Sequence, residues 1–280
     1  MSHILNGKAL AARIQKKIQA RVQTMPSTPG LAILLVGDDP ASHIYVQLKR
    51  KACEEVGIHF ELFLYPATEP EQTLINNIQE LNRRNDIHGI LVQLPLPSQN
   101  ANNVIFAINP LKDVDGFHPA NLEKLRAHQP SLISAVALGV MRLIREAVGT
   151  GPLPPHATIV SSPLFAEPLE ILLKESGVQT TVTQAEDKHL ADKTTQADLL
   201  IVAEGIPGLI TKDFVKPDAI LIDVGTTRTP EGLVGDVDLE SVKDIISAIT
   251  PVPGGVGPMT VAMLLVNILK AYELQKIKTR

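Results

Sequence analysis

Apolar and polar positions follow helical and strand rhythms along the chain. From Gly7 to about Met25, apolar residues recur at helical spacing among basic ones, which predicts an amphipathic helix. "LAILLVG" (Leu31–Gly37) is an unbroken apolar run ending in glycine, the pattern of a buried parallel strand. "DDPAS" follows, with acidic caps and a proline for a first helical turn. "HIYVQLKRKACEEVG" continues as a helix that stops at Gly57. "HFELFLYP" predicts a second strand and "EPEQTLINNIQELNRRN" a second amphipathic helix. "GILVQLPLP" (Gly89–Pro97) predicts a third strand. Strands and helices in this alternation form a parallel sheet covered by helices.

"PLKDVDGFHPAN" is a loop rich in turn formers, and a helix is predicted from about Ala135 to Ala147. "GTGPLPP" then marks a joint between domains. The second half repeats the alternation: "ATIV", a helix over Pro168–Ser176, "TTVT", a polar stretch, "ADLLIVAEG", "AILIDVG" and "AIT". The last helix, "TVAMLLVNILKAYELQK", is strongly apolar on one side and is expected to return to the first domain. The predicted fold is therefore two-domain α/β. An N-terminal catalytic domain spans 1–120 with about 258–280, and a Rossmann-like, doubly wound domain spans 140–250.

Composition narrows the function classes. Of 280 residues, 44% are hydrophobic and 20% charged, which fits a globular rather than a disordered chain. A formal net charge of −4 gives no general attraction to nucleic acid or acidic membranes, and neither is expected as a partner. The single cysteine, Cys53, has no internal disulfide partner, and the histidines form no cluster at metal spacing, so no metal is expected. The N-terminus reads as neither a signal peptide nor a membrane span, and the expected location is cytoplasmic.

Four places carry candidate chemistry. Tyr45 and Lys49 lie four apart and share a helix face; a partly buried lysine there is an acid/base candidate, and a solvated lysine beside a packed tyrosine is the alternative. Gln93 closes an apolar strand at the end where open α/β sheets bind ligands, or else bonds to a local loop. Asp113 and Asp115 flank Val114, and either accepts paired donors from a heterocycle or closes an Asx-turn. "ITPVPGGVGPMT" (Ile249–Thr260) has glycines for close backbone approach and prolines for rigidity, and a hinge would use the same residues.

"GDDPASHIYVQLKRKACEEVG", "GILVQLPLP", "KDVDGFHPAN", "GDVDLESV" and "ITPVPGGVGPMT", in that order, resemble the bifunctional methylenetetrahydrofolate dehydrogenase/cyclohydrolase family of the bacterial FolD type. The resemblance covers nearly the whole chain. It implies that Lys49 is the catalytic lysine, that Gln93 tunes it, and that Tyr45 stacks on the folate. It further implies that Asp115 holds the pterin and that the loop with Pro253, Gly254 and Gly255 lines the folate and nicotinamide site. It also implies tetrahydrofolate derivatives as substrates, NADP as cofactor and a homodimer.

The second domain departs from the family pattern. Ser134–Gly139 replaces a Pro-Cys-Thr-Pro-x-Gly segment. In "HATIVSSPLFAEP" (156–168) no glycine lies between Val160 and Pro168, Pro163 lacks an N–H, and Glu167 sits where the helix was expected to meet a phosphate. Glu186 and Asp187 fall where a 2′-phosphate would be held. Ser161, Ser162, Gly205 and Pro207 remain as cofactor-binding candidates. The expectation is a methenyltetrahydrofolate cyclohydrolase that requires no cofactor for hydrolysis and whose NADP-dependent dehydrogenase half is weak or lost. Two alternatives stand beside it: a fully bifunctional enzyme with a divergent cofactor site, and a non-catalytic folate binder or regulatory partner of a complete paralogue.

Overall fold

The computed structural model describes residues 2–230 and 232–278. The chain runs β1 (His3–Ile4), α1 (Gly7–Gln23), β2 (Gly30–Val36), α2 (Pro40–Val56), β3 (His59–Tyr65), α3 (Glu71–Arg83), β4 (Gly89–Val92), α4 (Ala101–Phe106), α5 (Pro119–Arg126) and α6 (Ala135–Val148). It continues with β5 (His156–Ser161), α7 (Pro163–Glu175), β6 (Gln179–Thr183), α8 (Leu190–Thr194), β7 (Leu199–Ala203), β8 (Ile220–Asp223), β9 (Thr227–Thr229), β10 (Gly232–Val234), α9 (Leu239–Val242), β11 (Ala248–Ile249) and α10 (Val256–Lys278). Among the described residues no helix is long and apolar enough to cross a membrane.

One compact unit comprises Ala12–Ala135 and Val261–Arg280. Its three-stranded parallel sheet has the order β3-β2-β4. The apolar run of β2 is buried along its whole length because it is the central strand. Leu74, Ile78 and Leu81, one face of α3, pack with Leu34, Val36, Ile90 and Val92. α2 starts where Asp39 accepts from Ser42 N at 2.8 Å with Pro40 in the first turn, and ends at Gly57, whose φ of 81° is left-handed. The C-terminal part of α10 is held to this unit by Asn267 Nδ2, which donates to Val114 O and Ile133 O at 2.9 and 2.7 Å.

The third strand is shorter than its apolar pattern predicts, ending at Val92 rather than Pro97. Leu94 and Leu96 continue the hydrophobic pattern, but Pro95 and Pro97 have no N–H to extend the ladder.

The other unit comprises Met1–Ala11 and Val136–Thr260. Its six-stranded sheet has the order β1-β11-β8-β7-β5-β6, with all the printed pairings parallel. From β6 to β11 this is the 2-1-3-4-5 order of a doubly wound fold, with its topological switch point between β5 and β7. The N-terminal strand β1 joins this sheet by pairing with β11, His3 opposite Ala248. The β9–β10 hairpin is an addition that the sequence pattern did not predict.

A second correction concerns α7, which opens at Pro163 and not at Pro168. Proline is well suited to a first helical position, and Pro163 takes it with Ser162 before it. Pro168 lies inside the helix at the cost of a backbone bond, and is buried beside Ala166, Leu169 and Leu173. Glu167 is consequently more than a turn into α7, away from the N-terminus where it was expected to meet a phosphate.

Candidate functional site

The Lys49 group lies in the unit built on β3-β2-β4. The face of α2 that carries Val46, Lys49 and Cys53 is buried, so Lys49 is carried inward with its apolar neighbours. Lys49 is only 8% exposed, and its Nζ donates to Gln93 Oε1 at 2.9 Å. Gln93 follows the last residue of β4 and is fixed at both ends. Its backbone N donates to Leu34 O at 2.9 Å, and its Nε2 donates to Leu94 O at 2.8 Å. One amide oxygen is thereby aimed at the lysine while the amide nitrogen bonds to the local loop.

Burial lowers the Lys49 pKa, while the negative charge of Asp115 acts the other way. Asp115 is raised by desolvation, with Lys49 pulling it down and Asp113 pushing it up. Lys49 and Asp115 thus sit within electrostatic range of each other. Burial, the Glu54 charge and, in the opposite sense, Lys49 leave the Cys53 thiol pushed up to about 12, so it stays a neutral packing group.

The two aspartates have separate tasks. Asp113 is buried and closes the turn: it accepts from Gly116 N at 3.1 Å, His118 N at 2.8 Å and Asn121 Nδ2 at 3.1 Å. Gly116, at φ 83°, lets the turn approach the chain, since a Cβ there would lie 2.4 Å from Ser134 N. Ala135 N donates to Asp115 O at 3.2 Å, so the main chain of Asp115 is held. Tyr45 lies one turn before Lys49 on α2 and is half-buried.

The remaining sequence candidates belong to the other unit. Gly254 has φ 108°, and its carbonyl accepts from Lys8 N at 2.9 Å. A Cβ on Gly255 would lie 2.6 Å from Pro251 O, so this glycine serves the loop's own packing. Pro253 precedes them in the same loop. Ser161 is buried, with Oγ donating to Ser162 O at 3.2 Å. Ser162 is exposed and makes no side-chain cap bond. Gly205 N donates to Asp236 Oδ2 at 3.0 Å, and Pro207 is exposed.

The pattern reading missed Glu204, the residue after β7. Its Oε1 accepts from Ala185 N at 3.1 Å, and burial together with Glu186 and Asp236 raises its carboxyl. The signal was present in "ADLLIVAEG": an acid closing an apolar run, as Gln93 does in "GILVQ". Among the described residues, His59, Glu61 and Asp86 have metal-ligand spacing, but Arg84 occupies their carboxylates at 2.6 and 2.5 Å, so the group is an ion-pair network.

Two family models cover the chain. Residues 5–115 match the tetrahydrofolate dehydrogenase/cyclohydrolase catalytic domain, and residues 134–276 match the NAD(P)-binding domain of the same proteins. The chain belongs to the tetrahydrofolate dehydrogenase/cyclohydrolase family. It is 45% identical to the bifunctional protein FolD of Bordetella bronchiseptica over 278 residues, which is 97% of this chain and 98% of that one. It superposes on the bifunctional FolD of Campylobacter jejuni with a TM-score of 0.91 at 39% identity, covering 98% of this chain and 100% of that one. The Trypanosoma brucei FolD, solved with NADP and an inhibitor, gives a TM-score of 0.92 at 32% identity, covering 98% of each chain.

The residues at the β5/β7 switch point fit an anionic dinucleotide poorly. The turn after β5 has no glycine, Pro163 has no N–H to donate, and the Ser161 hydroxyl is engaged within the turn. Glu204 adds a carboxylate at the same sheet edge.

Proposed function

We propose that this protein interconverts one-carbon derivatives of tetrahydrofolate, as a bifunctional dehydrogenase/cyclohydrolase whose hydrolytic centre is built on Lys49. Matches to both the catalytic and the NAD(P)-binding family models support the bifunctional reading, as do a full-length relative named as bifunctional and a solved relative whose name carries both activities. The observation that carries the hydrolytic half is a buried lysine held by a single amide oxygen at 2.9 Å, with a carboxylate in electrostatic range.

The chemistry follows from that environment. Burial favours the neutral form of the Lys49 amine, and in that form it is a base for water. Water oxygen adds to the methenyl carbon of 5,10-methenyltetrahydrofolate while Lys49 takes the proton. The carbon–N5 bond then breaks as the added hydroxyl releases its proton to solvent and becomes the formyl C=O, and N5 takes the proton held by Lys49, leaving the 10-formyl product. Gln93 holds the amine in line, and Asp115 anchors the pterin by accepting from its N–H groups. Tyr45 stacks on the same ligand.

A second reading, with the dehydrogenase half weak or lost, is favoured by the unsuited switch-point residues described above. Two assays on the same preparation test both. Loss of methenyltetrahydrofolate absorbance without nicotinamide is expected, and Lys49→Gln is expected to abolish it. Decay no faster than buffer would overturn the hydrolytic assignment. NADP-dependent oxidation of methylenetetrahydrofolate decides between the two readings of the other half.

A further inference from the structure

We propose that Glu204 bars the switch-point crevice to the phosphates of a dinucleotide, and that neutralising or removing its side chain opens the crevice. This rests on reading the second unit as NAD(P)-binding and names the residue that sets its affinity.

The strand order decides where the carboxylate lies. β5 sits between β7 and β6. Ser161, the last residue of β5, pairs with Ala203, the last residue of β7, so the two strands end level. Glu204 is the next residue after Ala203, and its Oε1 reaches Ala185 N, just past the end of β6. Adjacent strands are about 4.8 Å apart, so a side chain joining the ends of β7 and β6 spans the end of β5. It therefore crosses the edge of the Ser161–Ser162 turn. In a sheet of this order the ligand's phosphates belong at that place, before the N-terminus of the helix that follows β5.

The strut is held in position. Glu204 N and Gly205 N both donate to Asp236 Oδ2, at 2.7 and 3.0 Å, which fixes the backbone from which the side chain departs. The charges acting on Glu204 are Glu186 and Asp236, both acidic. Asp187, the other acid near the end of β6, is engaged with Lys193 Nζ at 2.5 Å, Thr183 Oγ1 at 2.7 Å and His189 N at 2.9 Å. A phosphate entering over β5 would meet a fixed carboxylate in place of a donor.

The test uses the full chain and measures binding, not turnover. NADP⁺ and NAD⁺ are titrated calorimetrically into wild type, Glu204→Gln and Glu204→Ala. Gln keeps an acceptor for Ala185 N and loses the charge; Ala clears the edge. Both variants are expected to bind the dinucleotides at least ~10-fold tighter than wild type. Methenyl hydrolysis and the thermal midpoint, measured on all three proteins, report that the fold is kept. Wild-type binding as tight as in the variants would overturn the proposal and leave the bifunctional reading standing. Absence of binding in all three would overturn the proposal and the dehydrogenase half together.

Discussion

The bond from Lys49 Nζ to Gln93 Oε1 is the most exposed point of the hydrolytic assignment. Gln93→Leu removes the acceptor and leaves a buried donor unpaired. That costs about 1–3 kcal/mol, which is about 5- to 150-fold in rate if it falls on the transition state. The pH dependence carries a sign as well. Burial already lowers the Lys49 pKa, and Asp115 opposes that shift. An acceptor on Nζ favours the charged amine, so its loss in Gln93→Leu lowers the pKa further. Gln93→Glu places a carboxylate at the same atom and raises it. If neutral Lys49 is the base, the rate climbs as pH rises through its pKa. The ascending limb should then move to lower pH in Gln93→Leu and to higher pH in Gln93→Glu. The assay is methenyltetrahydrofolate decay across a pH series, with the buffer rate subtracted at each point. Limbs that stay at the wild-type position, or move together, would refute Lys49 as the titrating base.

Two further predictions concern groups that act through the fold. Burial pushes the Asp223 carboxyl from 3.8 up to about 7, against three backbone N–H donors that lower it. A raised folded pKa gives stability that is complete below the unfolded value and is lost as pH rises through the folded one, so wild type should lose roughly 3 kcal/mol relative to Asp223→Asn between about pH 5 and 8. Urea unfolding of both proteins at the two pH values measures this, and a constant difference would contradict it. Asn267 holds the carbonyls of Val114 and Ile133, on either side of the Asp115 turn, at 2.9 and 2.7 Å. Asn267→Ala should raise KM for the folate several-fold with kcat nearly unchanged, and an equal fall in kcat would place Asn267 elsewhere in the mechanism.

Elements were legible where local chemistry and pattern agreed. Asp39, Pro40 and Gly57 bound α2 at the positions that caps require, and seven buried residues make β2 a central strand. Legibility failed where two local signals competed. Pro163 and Pro168 each offer a helix start, and the choice falls to Pro163 because Pro168 is buried as part of α7's packed face. It failed again for long-range pairing: nothing near His3 announces Ala248 as its partner. The site shows the same division. Lys49 and Gln93 were visible as candidates, but their contact joins α2 to the end of β4 and depends on the sheet between them. Asp113 and Asp115 are one residue apart with the same chemistry. Only the donors gathered around Asp113 assign it to the turn.

Gln93 and Glu204 arise from one sequence device, a polar residue placed directly after a buried parallel strand. In both, the preceding strand fixes the backbone and the side chain is directed over the C-terminal edge of the sheet, where ligands of α/β folds collect. What differs is the charge each one meets. Gln93 faces a buried amine and supplies an oxygen that steadies it. Glu204 faces two further acids and a single backbone N–H, so it brings charge to an edge that has little to neutralise it. Position in the fold therefore gives each residue a place in a binding region, and the surrounding charges decide what it does there. By that criterion the edge beyond β4 sets an amide oxygen against a buried amine, and the edge beyond β7 sets a carboxylate among other acids.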